Sequence, residues 1–417
     1  MQTKPASTYK KPLWHGILLV AGGAIGAGMF ALPMVSAGPW FLWASLGFLL
    51  VWLVTYLSAS LFAKVNISLV ENPKTSLNVM HSFSSLVSYV LGKPWARANN
   101  LCIIFIMMIL MYAYTTAGAS IIQSSFSAIN IETSPSSRAW LSLCFALATG
   151  TIVLIGTTFV SRIMLGLMLA MLISFIIAMF GIYPNLQVEK LFMAKGANSV
   201  YLLAAIPVYV TAFACTGLVP SLVRHYENQN AKVNKCIFWG TLLALFVYLI
   251  WLTATLGSIG RDGFLQIVKG GSDLGTLNKA LVDAGSNPNI QGRLSLFSHC
   301  AIITSFLSVG LGLFHFIQDR LSLNKTFRDK SLAASICFVP PAIASFFFPY
   351  GFVHAIAYAG MFVAFSFFIL PGILALSVFK NQHRPLLKTQ SYLAIIFGVL
   401  IIILKIAMTL SLLPTFR

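Results

Sequence analysis

Gly22-Gly23-Ala24-Ile25-Gly26-Ala27-Gly28 sits in the middle of the first long apolar segment, which runs from about residue 13 to 37. That segment is long enough to cross a bilayer. Its centre, however, is built from the residue that weakens a helix interior more than any other except proline, at about 1 kcal/mol per Gly against Ala. Gly22-x-x-x-Gly26 also fits a close-packing pattern between membrane helices. Taken alone, the run reads equally as a packing face or as a break. Irregular backbone at membrane depth is tolerated only where protein buries it or where it lines a cavity.

A second apolar segment supplies the discriminating observation. In the sixth span, Pro207 and Pro220 bracket Thr211, Phe213, Cys215, Thr216 and Gly217. Proline removes a backbone donor and clashes one turn back, so the discontinuity is expected over 211–217. The two interrupted helices are five spans apart. Breaks at corresponding places in two halves point to a transporter binding site. The break reading of the glycine run is therefore preferred.

The composition agrees. The chain has 417 residues, 58% hydrophobic and only 9% charged, against about 25% charged in soluble domains. Eleven spans are expected, over 13–37, 39–63, 97–128, 138–157, 160–183, 198–224, 233–258, 292–320, 331–349, 352–379 and 391–414. They form one transporter domain: a five-helix repeat over 13–183, a second over 198–379 and an additional helix over 391–414. The first span is read as retained rather than as a cleaved leader. Loop 64–96, with a Ser-rich apolar stretch from His81 to Leu91, is expected to hold a short surface helix, and loop 261–291 short helices over an outer vestibule.

The net charge of +18 follows the membrane rather than nucleic acid. With the N-terminus in the cytoplasm, eighteen Lys and Arg fall inside and eight outside, and Lys405 lies within the last span. That excess is the usual cytoplasmic bias. An odd span count then puts the C-terminus outside. The six cysteines lie in or beside apolar spans with no C-x-x-C pair, and read as small apolar fillers.

The break has its own chemistry. The amino end of a resumed half-helix offers backbone N–H groups and a positive dipole, which suit a carboxylate; the preceding half-helix ends in carbonyls, which suit a cation or an ammonium. A zwitterionic amino acid needs both.

Several motifs carry a family resemblance. They are Gly23-Ala-Ile-Gly-Ala-Gly-Met-Phe-Ala-Leu-Pro33, Met111-Tyr-Ala, Val219-Pro-Ser-Leu-Val, Ala254-Thr-Leu-Gly-Ser-Ile259, Thr304-Ser-Phe-Leu-Ser-Val-Gly-Leu-Gly-Leu-Phe314 and Tyr358-Ala-Gly360. Together they resemble the bacterial aromatic amino acid permeases, the tyrosine- and tryptophan-specific transport proteins of the amino acid–polyamine–cation superfamily. The resemblance spans the first to the tenth helix. It implies an all-α membrane protein with the LeuT-type 5+5 inverted repeat, helices 1 and 6 broken. It also implies proton-driven symport of tyrosine, tryptophan or phenylalanine across the inner membrane by alternating access.

By the same resemblance, Ala24, Gly26, Ala27 and Gly28 would hold the substrate carboxylate, and Tyr112 would reach or gate it. Phe213, Ala214, Cys215 and Thr216 would line the side-chain pocket. Gly22, Ile25 and Ala301 carbonyls with the Thr304 and Ser305 hydroxyls match a sodium site between helices 1 and 8, an oxygen-only set right for a hard cation. The fold's other sodium site uses an Asn where this chain has Met29.

No Asp or Glu lies at mid-span, and intramembrane carboxylates are the usual proton carriers. Two further candidates for proton coupling are His315 with Asp319, one turn apart near the inner end of helix 8, and Lys405. Sodium-coupled symport thus stands beside proton-coupled symport. A non-transporting amino acid sensor is a remote alternative. A membrane enzyme would need a carboxylate, metal cluster or nucleophile–base pair within the spans, and the spans offer none. No G-x-x-x-x-G-K-[ST] loop is present to use ATP. The expected partners are the aromatic amino acid, the coupling ion and the lipid bilayer. No other cofactor and no obligate protein partner is expected.

Overall fold

In a computed structural model of the protein, residues 11–71, 82–129, 131, 134, 137–192, 198–285, 290–323 and 326–416 are described. Lys4, Lys10, Lys74, His81, Lys195, Lys325 and Arg417, used above for topology or loop structure, lie outside them.

The described chain is helical throughout. Ten helices are long and apolar enough to span a membrane, and the bent pair at the start brings the number to eleven. In chain order they begin with α1 (Leu13–Ala24) and α2 (Ala31–Ser36), the two halves of the first span. There follow α3 (Trp40–Val70), a short α4 (Phe83–Leu91), α5 (Lys93–Ala128), α6 (Ser137–Ile155), α7 (Thr157–Ile182) and a short α8 (Val188–Phe192). The sixth span is α9 (Val200–Ala212) with α10 (Val219–His225). Then come α11 (Asn230–Ile259), short α12 (Arg261–Lys269) and α13 (Leu274–Asp283), α14 (Ile290–Arg320) and α15 (Phe327–Phe347). The tenth span is α16 (Phe352–Ala364) with α17 (Leu370–Val378), and α18 (Pro385–Thr409) completes the set. The short helix expected in loop 64–96 is α4, and those expected in loop 261–291 are α12 and α13.

Between α16 and α17 the backbone winds as one π turn over Phe365–Ile369. The cause is local. Pro371 has no N–H, so the carbonyl of Phe367, four residues back, loses its helical partner. The Ser58 hydroxyl of α3 donates to that carbonyl at 2.6 Å, as a membrane interior requires.

α1 lies along α11, α9 along α3 and α16, and α14 along α7 and α5. α7 is peripheral, with Leu165, Leu169, Leu172, Ile176 and Phe180 exposed as a lipid-facing stripe.

In the segment between α11 and α14, helix α13 is fastened by charge. The Arg138 guanidinium donates to Asp273, whose second oxygen accepts from Ser120 Oγ at 2.7 Å. Both charges are buried. Removing one would leave the other uncompensated, at about 3–5 kcal/mol.

Candidate functional site

The first break is sharp. α1 ends at Ala24, Ile25 and Gly26 are extended, and a 3-10 turn over Ala27–Phe30 leads into α2. The two halves are bent by 50°. The Ile25 amide still closes on Ala21 O at 2.7 Å. The Ala27 amide donates to Ser305 Oγ on α14 at 2.8 Å. The Gly26 and Gly28 amides donate to no group among the described residues. Glycine is needed at 26 by close approach: a Cβ there would stand 2.7 Å from Ser305 Oγ. Beside Gly28 a Cβ would meet nothing within 4 Å, so the break borders open space.

The second break is shallower. α9 stops at Ala212, Phe213 to Cys215 are irregular, and a 3-10 turn over Thr216–Leu218 restarts the helix as α10. The whole segment from Val200 to His225 still passes as one span. Local bonds persist, with Ala214 N on Thr211 O at 3.2 Å and Leu218 N on Cys215 O at 2.9 Å. Phe213, Cys215 and Thr216 are buried, while Ala214 is half-buried.

One side chain joins the breaks. Tyr248 of α11 places its hydroxyl 2.6 Å from Ala24 O and 2.8 Å from Ala212 O. These are the terminal carbonyls of the first half-helix of each broken span. The proton is shared between them, and the Phe213 ring packs edge-on against Tyr248. The broken spans are also laced at both ends. At one end, Ser36 and Tyr209 hydroxyls meet at 2.7 Å. At the other, the Gly16 amide donates to Tyr226 Oη at 3.0 Å, and Tyr226 donates to Pro12 O at 2.9 Å. Lys11 caps this end on His225 O and Glu227. The Lys11 ammonium holds the exposed Glu227 carboxyl below its ordinary carboxylate range.

The residues expected on helix 8 divide. Ser305 reaches the break. Thr304 is buried and turns its hydroxyl back on its own helix, donating to Cys300 O at 2.7 Å and Ala301 O at 3.1 Å. Gly22 faces Met168 of α7.

Tyr112 does not join this group. Its hydroxyl donates to Phe348 O at 2.7 Å, in an apolar groove between α5 and the α15–α16 turn. Tyr114, two residues on and so on the opposite face of the helix, is buried beside Tyr248. Its hydroxyl has no hydrogen-bond partner among the described residues. His315 and Asp319 are both exposed and form no ion pair. Lys405 is buried, with its ammonium 3.6 Å from the centre of the Tyr358 ring. Sequence reasoning missed Tyr248 and Tyr114. The signal was present: tyrosine usually marks the membrane interfaces, and a mid-span tyrosine must find a partner for its hydroxyl.

The tryptophan/tyrosine permease family model matches residues 9–411. The chain belongs to that family. Members of a permease family are transporters, not enzymes. The permease is 35% identical to the tryptophan-specific transport protein of Pseudomonas aeruginosa, over all of both chains. It is 28% identical to the low affinity tryptophan permease of Escherichia coli, over 98% of each. It is 32% identical to tyrosine-specific transport system 1 of Haemophilus influenzae, over 85% of each. Among solved structures, MhsT in complex with L-phenylalanine superposes with a TM-score of 0.59 at 14% identity, over 97% of this chain and all of that one. The permease is thus a multi-pass membrane protein with the LeuT-type fold, as its motifs implied.

Proposed function

We propose that this permease is a secondary symporter that imports aromatic amino acids across a bacterial inner membrane by alternating access. Its N-terminus is cytoplasmic and its C-terminus periplasmic. The two five-helix repeats and the added eleventh helix move about the paired breaks. The observation that carries the reading is the junction at Tyr248, which holds the ends of both broken helices against each other beside the free Gly26 and Gly28 amides. Those amides suit a carboxylate, and Tyr114 offers it a further hydroxyl in place of Tyr112. Ala24 and Ala212 carbonyls mark where positive charge is favoured. The small residues Ala214, Cys215 and Thr216 leave room for a ring, with Phe213 behind them. Relatives named for tryptophan and tyrosine transport support an aromatic cargo.

Protons are the coupling ion in the primary reading. A second reading rests on Ser305, which stands directly against the first break. With Thr304, Ala301 and the Gly22 and Ile25 carbonyls it would hold sodium.

Uptake of labelled tryptophan, tyrosine and phenylalanine into proteoliposomes, under an imposed pH or sodium gradient, tests both. The expected result is uptake stimulated by an inward proton gradient. Stimulation by sodium alone transfers the coupling to the helix 1–helix 8 set. No uptake under either gradient overturns the reading.

A further inference from the structure

The inner end of the protein carries a polar cleft that transport leaves unused. It has a volume of about 690 Å³ and lies between α4, the first turns of α5 and the last turn of α14. Its cations are Lys93, Arg97 and Arg320, all exposed. None of the three makes an ion pair or hydrogen bond among the described residues. No acidic residue lines the cleft; Asp319, next to Arg320, is exposed outside it.

The local sequence builds this cleft. Gly92 turns the chain between α4 and α5 at φ +91°, where a side chain would be strained. The turn lays α4 beside the amino terminus of α5, whose dipole adds positive potential. α4 buries Phe83, Leu86 and Val87 and turns Ser84 and Ser88 to the cleft. Lys93, Arg97 and Asn100 follow one stripe of α5. Asn100 forms the floor: it is 93% buried, and its Oδ1 has no hydrogen-bond donor. A buried, unpartnered amide oxygen is costly unless a ligand supplies the donor. At the same level, Tyr89 and Trp95 are exposed aromatics of the kind that sit among lipid headgroups.

We propose that this cleft binds an anionic phospholipid from the cytoplasmic leaflet. Lys93, Arg97 and Arg320 hold its phosphate, Ser84 and Ser88 add hydroxyl donors, and Asn100 Oδ1 accepts from a headgroup hydroxyl. Basic pockets between spans on the cytoplasmic side suit such headgroups. The location at that leaflet rests on the orientation proposed above. The headgroup chemistry is that of phosphatidylglycerol, a phosphodiester bearing free hydroxyls.

The test is native mass spectrometry of the full-length permease, purified in detergent and offered equal amounts of phosphatidylglycerol and phosphatidylcholine. A parallel sample receives inorganic phosphate. The wild type should retain phosphatidylglycerol in at least ~5-fold excess over phosphatidylcholine, with no comparable phosphate adduct. R97A and R320A, at exposed positions, should each lose most of that excess. N100L should reduce retention of phosphatidylglycerol more than of phosphatidic acid, which lacks the headgroup hydroxyls. K388A, another exposed cation at the inner end but outside the cleft, should leave retention unchanged. Equal retention of the two lipids, or unchanged retention in R97A and R320A, overturns the proposal. Phosphate adducts as abundant as lipid would make this a soluble-anion site and also overturn it. Lipid retention is read without transport, so failed amino acid uptake leaves its outcome distinct.

Discussion

The two helix breaks look alike in their placement and differ in their construction. The first is made of glycine. It changes the direction of the span by 50°, and one freed amide goes to a neighbouring helix, at Ser305. The second is set between prolines. It unwinds the chain over Phe213–Cys215 without a comparable bend, and most of its amides find partners a few residues away. Physical chemistry accounts for the contrast. At the first break glycine admits a neighbour where a Cβ would stand, whereas proline fixes φ and only deletes a donor. The second break is instead anchored from outside its own helix. Thr211 Oγ1 donates to Ile356 O on α16 at 3.0 Å, and Gly360 packs on the Pro207 carbonyl. The first break is thus tied to α14 and the second to α16.

Substitutions break this comparison at graded cost. Gly26→Val should have the largest effect. It drives a branched side chain into Ser305 and displaces the amides on either side, and misplacement of about 1 Å can cost ~100-fold in rate. Uptake should fall by about that factor, while Gly28→Ala, facing open space, should lose far less. Next is Tyr248→Phe, which strikes both halves at once. It leaves the Ala24 and Ala212 carbonyls without their donor, and should destabilise the protein by about 1–3 kcal/mol. A lowered thermal midpoint in detergent, together with weaker tryptophan binding, would show it.

Ser305→Ala comes third, removing one neutral hydrogen bond worth about 1 kcal/mol. Its sharper readout is ion dependence. If Ser305 serves only the first break, affinity drops with no change in the ion response; if it holds sodium, that response disappears. Pro207→Ala should perturb uptake less than any of these, because the second break is held by α16. The smallest effect belongs to the exposed Lys11–Glu227 pair. The folded carboxyl pKa is lowered, so the pair's contribution is complete above the ordinary carboxylate pKa and fades as pH falls through the lowered value. Glu227→Gln should remove that acid-side step from a stability–pH curve, lowering stability slightly at neutral pH and leaving the acid end unchanged.

Much of this architecture was legible in the residues. Eleven apolar runs gave the spans, and Gly22–Gly28 and Pro207–Pro220 gave both breaks. Local chemistry dictates those features. The cross-helix partners were less legible, because they depend on helix phase. Tyr112 and Tyr114 are two positions apart yet face opposite ways, and only packing decides which meets Tyr248. His315 and Asp319 have the spacing of a helical pair, but both are exposed and form no ion pair among the described residues. The π turn at Phe365–Ile369 follows from Pro371 together with Ser58, more than three hundred residues away in the chain. Such a pairing has no signature in either segment alone.

The central claim is that the two breaks together hold the backbone of one amino acid. A structure of the permease with bound L-tryptophan tests it most directly. The carboxylate should lie within hydrogen-bond distance of the Gly26 and Gly28 amides, with the ammonium near the Ala24 and Ala212 carbonyls. A ligand seated elsewhere, with those amides still free, would contradict it.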